Sequence, residues 1–237
     1  MSGAAAPRGW PIAALIVVAL GVGTPAQGQD GPALRPGHVY VAGGLLVTGG
    51  YDVGTQTATL RGNAIGTLTP PPYTLFTADG SIGSAAGADL RAGVAITRAL
   101  AVEVSGQFSW PHLGVAIAND PEAGAQTLDG EPLTQYVVDV SATWQLSRLR
   151  LGRQGRPFVE GGAGYLRQLH EERVLVETGS TYHAGGGLRY WLRGGDGRRH
   201  DLGVRADLRY VWRTGGLAFE DGTRGFPAAS VLAFFGF

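Results

Sequence analysis

The chain contains no cysteine, no lysine and one methionine. Without cysteine there is no disulfide, no thiol nucleophile and no thiolate ligand for zinc or iron–sulfur chemistry. Charge is scarce too: Asp, Glu, Lys and Arg together make up 16% of the residues, where an ordinary soluble domain carries about 25%. The 19 basic and 19 acidic residues cancel, so the excess positive charge that a nucleic-acid partner demands is missing. Long apolar runs are also missing. The longest, Trp10–Val22, is about 13 residues, short of the roughly 20 needed to cross a bilayer as a helix. Any membrane crossing must therefore be made by strands.

What the chain does have is glycine, 40 of 237 residues without a collagen triplet, and segments that alternate in polarity. The N-terminus reads as a cleaved signal peptide over residues 1–28. Arg8 precedes the short apolar core, and Thr24-Pro-Ala26 or Ala26-Gln-Gly28 supplies the small residues of a cleavage site. Residues 29–37, rich in proline and glycine, are expected to be a disordered leader. Residues 38–237 then form one unit.

The end of the chain organises the rest. In Ala228–Phe237, alternate positions place Ala229, Val231, Ala233, Phe235 and Phe237 on one face, and Ser230, Leu232, Phe234 and Gly236 on the other. Neither face suits water, so both must be covered. Seven further strands precede it. His38–Thr48 is apolar or small on both faces, and its inner face is left open. The next five run over 86–97, 100–110, 136–146, 157–169 and 180–192. The seventh, Leu202–Arg213, alternates most sharply: Leu202, Val204, Ala206, Leu208, Tyr210 and Trp212 against Gly203, Arg205, Asp207, Arg209, Val211 and Arg213. Long loops are expected at 51–80, 111–132, 170–179 and 214–227, with shorter connections between the others.

Even strand number, alternating loop lengths and strands of about 10 to 16 residues match a membrane barrel with short periplasmic turns and long outer loops. The expected fold is all-β, an eight-stranded antiparallel up-and-down transmembrane β-barrel. A lipocalin-like soluble barrel is the rival, with the apolar face turned inward around a ligand. Glycines on the polar faces, among them Gly87, Gly93, Gly162, Gly164, Gly185, Gly187 and Gly203, suit a narrow lumen. Trp110, Tyr136, Trp144, Tyr165, Tyr182, Tyr210 and Trp212 end the apolar faces and are expected as membrane-interface girdles.

Three stretches, Pro157-Phe-Val-Glu-Gly-Gly-Ala-Gly-Tyr165, Gly203-Val-Arg-Ala-Asp-Leu-Arg-Tyr210 and the Phe-ending strand, resemble the small eight-stranded bacterial outer-membrane barrels: OmpA-like, OmpX-like and opacity-type porin-family proteins. The resemblance spans Gly37–Phe237 and implies an outer-membrane location. It also implies that Phe235 and Phe237 are a C-terminal signal read by the barrel-assembly machinery. No peptidoglycan-binding function is expected with it.

The lumen-facing list carries Asp89, Arg91, Glu103, Asp139, Glu160, Arg189, Arg205, Asp207 and Arg209. An unpaired charge in a confined interior costs several kcal/mol, so these groups should neutralise one another and plug the lumen; a narrow or gated pore is the other reading. Catalysis is not expected. The runner-up class is a lipid A-modifying enzyme, for which His183 with Ser180 and Thr181 is the only place to look. No cofactor or metal is expected: His38, His112, His170 and His200 lack a ligand spacing, and Asp120, Glu122, Asp129 and Glu131 read as solvated loop charge. Outer-membrane lipid is the expected partner, with Arg167, Arg173, Arg213 and Arg224 of the outer loops against lipopolysaccharide phosphates. Oligomeric state is not legible.

Overall fold

A computed structural model describes residues 34–237 apart from 64, 65, 67–69, 122, 171–174 and 195–199, and for Asp129 only the backbone. The signal-peptide reading and residues 29–33 of the leader lie outside the described residues.

Eleven strands are present: β1 Val39–Thr48, β2 Tyr51–Leu60, β3 Tyr73–Ile82, β4 Ala85–Ala95, β5 Leu100–Ser109, β6 His112–Ala118, β7 Gln126–Gln145, β8 Gly155–His170, β9 Val176–Arg193, β10 Asp201–Gly215 and β11 Thr223–Gly236. Eight of them close a barrel in the order β1-β4-β5-β7-β8-β9-β10-β11, with β11 returning to β1. Every neighbouring pair is antiparallel. Closure satisfies the backbone groups that an open edge would leave bare.

The other three strands correct the sequence reading. Residues 51–60, 73–80 and much of 111–132 are not irregular loops. They are β2, β3 and β6, which pair with one another and with the first third of β7 to form a second sheet beyond one rim of the barrel. Each continues a barrel strand after a short bend: Gly49-Gly50 after β1, Gly83-Ser84 before β4, Trp110-Pro111 after β5. Polar Thr-rich alternation such as Thr55–Leu60 lacks the apolar contrast that marks a lipid-facing strand, so its extended character is hidden. The loops expected at 170–179 and 214–227 are likewise shortened, because β9 starts at Val176 and β11 at Thr223.

At the opposite rim the connection from β4 to β5 is tight. Between β4 and β5, Thr97 Oγ1 accepts from the N–H groups of Ala99 and Leu100 at 3.1 and 2.9 Å, a local side-chain turn. The leader is ordered where it is described. Gly37 N–H donates to Ala95 O at 2.7 Å, and Leu34 is buried against Tyr40, Ala95 and Ala101. Residues 34–37 are thus docked at the barrel mouth rather than disordered, held there by an apolar side chain and a backbone hydrogen bond.

The faces fall as the alternation requires. Leu90, Val104, Val138, Val140, Leu208 and Val231 are between 50% and 65% exposed on the outside, while Asp89, Glu103, Arg205 and Ser230 are at most 2% exposed inside. In β1 the inner face, left open by its sequence, is Tyr40, Ala42, Leu46 and Thr48. Inward glycines leave room for large inward rings: a Cβ on Gly93 would lie 2.5 Å from the Tyr40 ring, and one on Gly203 2.4 Å from the Phe234 ring.

Candidate functional site

The interior is stacked in layers. At the short-turn end lies an aromatic floor. Trp191 and Phe234 meet edge to face with ring centroids 5.7 Å apart, and Ala42 and Leu232 pack against them. The Arg189 guanidinium sits 4.7 Å from the Tyr40 ring centre and Arg205 4.4 Å from that of Phe158. These cation–π contacts join the floor to the charged layer above it.

That charged layer holds four arginines and four carboxylates. Arg205, from β10, donates to Glu103 at 2.6 Å, to Asp207 at 3.2 Å, and to Glu160. Arg91 donates to Asp89 at 2.7 Å and to Glu160 and Asp207 at 3.2 Å each. Arg209 bonds Asp89 at 3.1 Å and lies 3.3 Å from Asp207. Arg189 donates to Glu103 at 3.3 Å. Arg205 and Arg189 are register partners across β10 and β9, and the alternation of β4, β5, β8, β9 and β10 aims all eight groups at the axis. A planar, five-donor cation bridging several carboxylates is the arrangement that offsets desolvation of buried charge.

Eight of the nine charges expected in the lumen network are brought together; the ninth is not. Asp139 lies in the next layer, without an arginine in salt-bridge range among the described residues. It accepts instead from Ser105 Oγ at 2.7 Å and Gln107 Nε2 at 2.9 Å. His183 lines the same small chamber, which has about 20 Å³ open to the centre of a water-sized sphere, room for one or two water molecules. Below the charged layer a second space, lined by Leu34, Thr143, Gln145, Phe158 and Arg189, offers about 10 Å³.

Above the chamber an apolar cap closes the barrel at its other end. Val53, Ile82, Leu113 and Leu133 are buried together, with Tyr51, Val115, Leu217 and Phe219 against them. Arg213 corrects an expectation. It is 1% exposed, donates to Tyr51 Oη, and caps Gly215 O and Leu217 O at 3.0 and 2.7 Å. It therefore cannot reach a lipid phosphate, because its position on the inward face of β10 outlasts the barrel rim. Arg224 is committed to Val53 O and Glu220 O at 2.7 Å each. Arg167 is exposed on the outer face of β8, and Arg173 lies outside the described residues.

Tyr40 and Ser230 were missed as members of the network. Tyr40 Oη donates to Glu103, and Ser230 Oγ donates to Asp89 at 2.9 Å. The signal for Ser230 was present: it is the one hydroxyl on the inner face of the closing strand. Tyr40 carried none, because its strand alternates too weakly.

The expected girdle aromatics are all on the outside, Trp110, Tyr136, Trp144, Tyr165, Tyr182, Tyr210 and Trp212 being 39–54% exposed. They fall into two belts. Trp144 lies near the short turns, joined by Tyr190, Phe235 and Phe237, which are 40–53% exposed. The other six lie toward the far rim, where Phe108 contacts Trp110 and Tyr136 with centroids 4.4 and 4.9 Å apart. Between Leu202 and Trp212, ten steps of ~3.3 Å at a tilt of roughly 40° rise ~25 Å, the height of an outer-membrane apolar band.

Of the set considered for lipid A chemistry, His183 and Thr181 are buried on the inner face of β9 and line the same chamber, while Ser180 is exposed on the opposite face. No group of metal-binding side chains is formed among the described residues. Of the acidic set, Glu131 pairs with His170 at 2.9 Å, and Glu122 lies outside the described residues.

No family model matches the chain. No curated protein matches it. Among solved structures, the crystal structure of the outer membrane protein OprG from Pseudomonas aeruginosa is similar at 10% identity and a TM-score of 0.49, over 86% of this chain and 97% of that one. That likeness is one of general outline.

Proposed function

We propose that this protein is an integral barrel of the bacterial outer membrane, with a plugged lumen and a structural or surface-interaction role rather than a catalytic or conducting one. The observation that carries the reading is the inverted distribution of side chains. Charge is buried on the axis, and a continuous apolar belt bounded by aromatics is exposed. A lipocalin-like barrel needs the reverse, and an exposed belt of this extent in water would drive association. In hydrocarbon it is the solvated face, and each barrel strand is paired on both sides. The short turns, residues 34–37 and the end of β11 then face the periplasm, and the second sheet stands outside the cell. Phe235 and Phe237, resembling a C-terminal assembly signal, sit at the periplasmic belt.

Layered filling supports the plug. Floor, charge network and cap fill the axis, with small spaces of about 20 and 10 Å³ above and below the charged layer. The separation of His183 from Ser180 favours a non-enzymatic role, and Arg167, exposed on the outer face of β8, is available for lipopolysaccharide phosphate.

Planar-bilayer recording on the folded chain tests the plug. A flat trace is expected, and discrete reproducible openings would replace the plug with a pore. Solubility tests the membrane reading: a folded monomer persisting in buffer without detergent or lipid would end it.

A further inference from the structure

The zero net charge conceals a separation along the barrel axis. At the short-turn end, Arg98 lies between β4 and β5, Arg148, Arg150 and Arg153 between β7 and β8, and Arg193 ends β9; all five are exposed. The described carboxylate at that end, Asp201, is buried and lies 3.8 Å from His38. The middle of the barrel is balanced by its own network. At the far end carboxylates such as Asp52, Asp79, Glu177 and Glu220 outnumber arginines.

We infer that the short-turn end is a docking collar for the phosphates of anionic phospholipid headgroups in the leaflet that surrounds it. This inference rests on the membrane reading above. Three observations join. First, the turns are tied into one rim: Gln145 N–H donates to Ala99 O at 2.7 Å, and Trp191 N–H donates to Gln154 O at 3.1 Å. The arginines are therefore held around one circumference rather than scattered on loose loops.

Second, the arginines adjoin the edge of the apolar belt. Ile96 precedes Arg98, Leu192 precedes Arg193, and Leu149 stands between Arg148 and Arg150; these three apolar side chains are 51–57% exposed. An aliphatic group entering the acyl boundary beside a guanidinium puts that cation at headgroup height, as in interfacial anchors.

Third, the charge suits the ligand. A guanidinium presents paired donors to two phosphate oxygens, which a choline or ethanolamine headgroup partly offsets with its own cation and a phosphatidylglycerol headgroup does not.

The test uses the whole folded barrel in nanodiscs made from equal parts phosphatidylglycerol and phosphatidylcholine. Lipids retained after mild detergent release are counted by native mass spectrometry. One arginine beside an anionic leaflet is worth about fivefold in partition. Wild-type protein should therefore retain phosphatidylglycerol over phosphatidylcholine by at least about fivefold. The variant Arg98→Ser/Arg148→Ser/Arg153→Ser/Arg193→Ser should fall to within about twofold of parity, and the matching Arg→Lys variant should keep most of the preference.

Equal retention by the wild type overturns the collar, as does an undiminished preference in the serine variant. So does binding of the wild type to isolated peptidoglycan sacculi with no lipid preference, which would assign the arginines to a cell-wall partner. Failure of every variant and the wild type to insert into bilayers at all would strike the membrane reading instead. Heat-modifiable migration on SDS gels scores insertion separately.

Discussion

Replacing Arg205 with methionine removes one cation from the centre of the barrel at nearly constant side-chain volume. Arg205 is 1% exposed and is shared by Glu103, Glu160 and Asp207. Those carboxylates keep other partners. Glu103 retains Arg189 at 3.3 Å and Arg91 at 3.6 Å, Glu160 retains Arg91 at 3.2 Å, and Asp207 retains Arg91 at 3.2 Å. The loss is therefore not three isolated charges but one uncompensated negative charge spread over a dry layer. Breaking a buried pair in this way costs about 3–5 kcal/mol, and the residual contacts put the expectation at the lower end, ~3 kcal/mol. Urea unfolding of the barrel in lipid vesicles, followed by tryptophan fluorescence and gel mobility, measures it. Adding Glu103→Gln restores formal balance in the layer. The double variant should then be more stable than the sum of the singles by ~1–3 kcal/mol. A loss below ~1 kcal/mol for Arg205→Met, together with simple additivity, would mean that the layer is hydrated and that its charges are not coupled as described.

Three further outcomes are expected. Leu90→Arg, at a site 65% exposed near mid-belt, should destabilise the bilayer-inserted barrel by ~2–4 kcal/mol, where the same change on a water-facing surface would cost little; unfolding titrations in vesicles decide between them. Gly93→Val should press on the Tyr40 ring, displace its hydroxyl from Glu103 and cost about 1–3 kcal/mol, read by the same titration. Phe237→Ser should lower the amount of barrel recovered from the outer membrane of expressing cells several-fold while leaving stability in vesicles within ~1 kcal/mol, because its side chain is exposed and its N–H bond to Val39 O at 3.0 Å is a backbone one; quantitative blotting of membrane fractions, with normal recovery, would remove the assembly signal from the account.

Much of this protein could be read from residue order alone, and the reason is the period of a strand. In a closed barrel each residue faces either the axis or the surroundings, so Leu202, Val204 and Leu208 against Arg205, Asp207 and Arg209 already state which way each points once one face is assigned. That assignment put the girdle aromatics outside and all nine charges inside. It faltered where polarity does not alternate. The Thr- and Gly-rich segments of β2 and β3 look like loop because nothing contrasts across their two faces, and β1 hid Tyr40 for the same reason. Leu34 was invisible because a single apolar residue beside prolines carries no pattern.

What only the tertiary structure decided is height along the axis. Alternation says inward or outward but not which inward groups share a level, since that depends on strand stagger around the barrel. Stagger separates Asp139 from the arginines and gives it to Ser105 and Gln107. It also carries Arg213 past the rim to Tyr51.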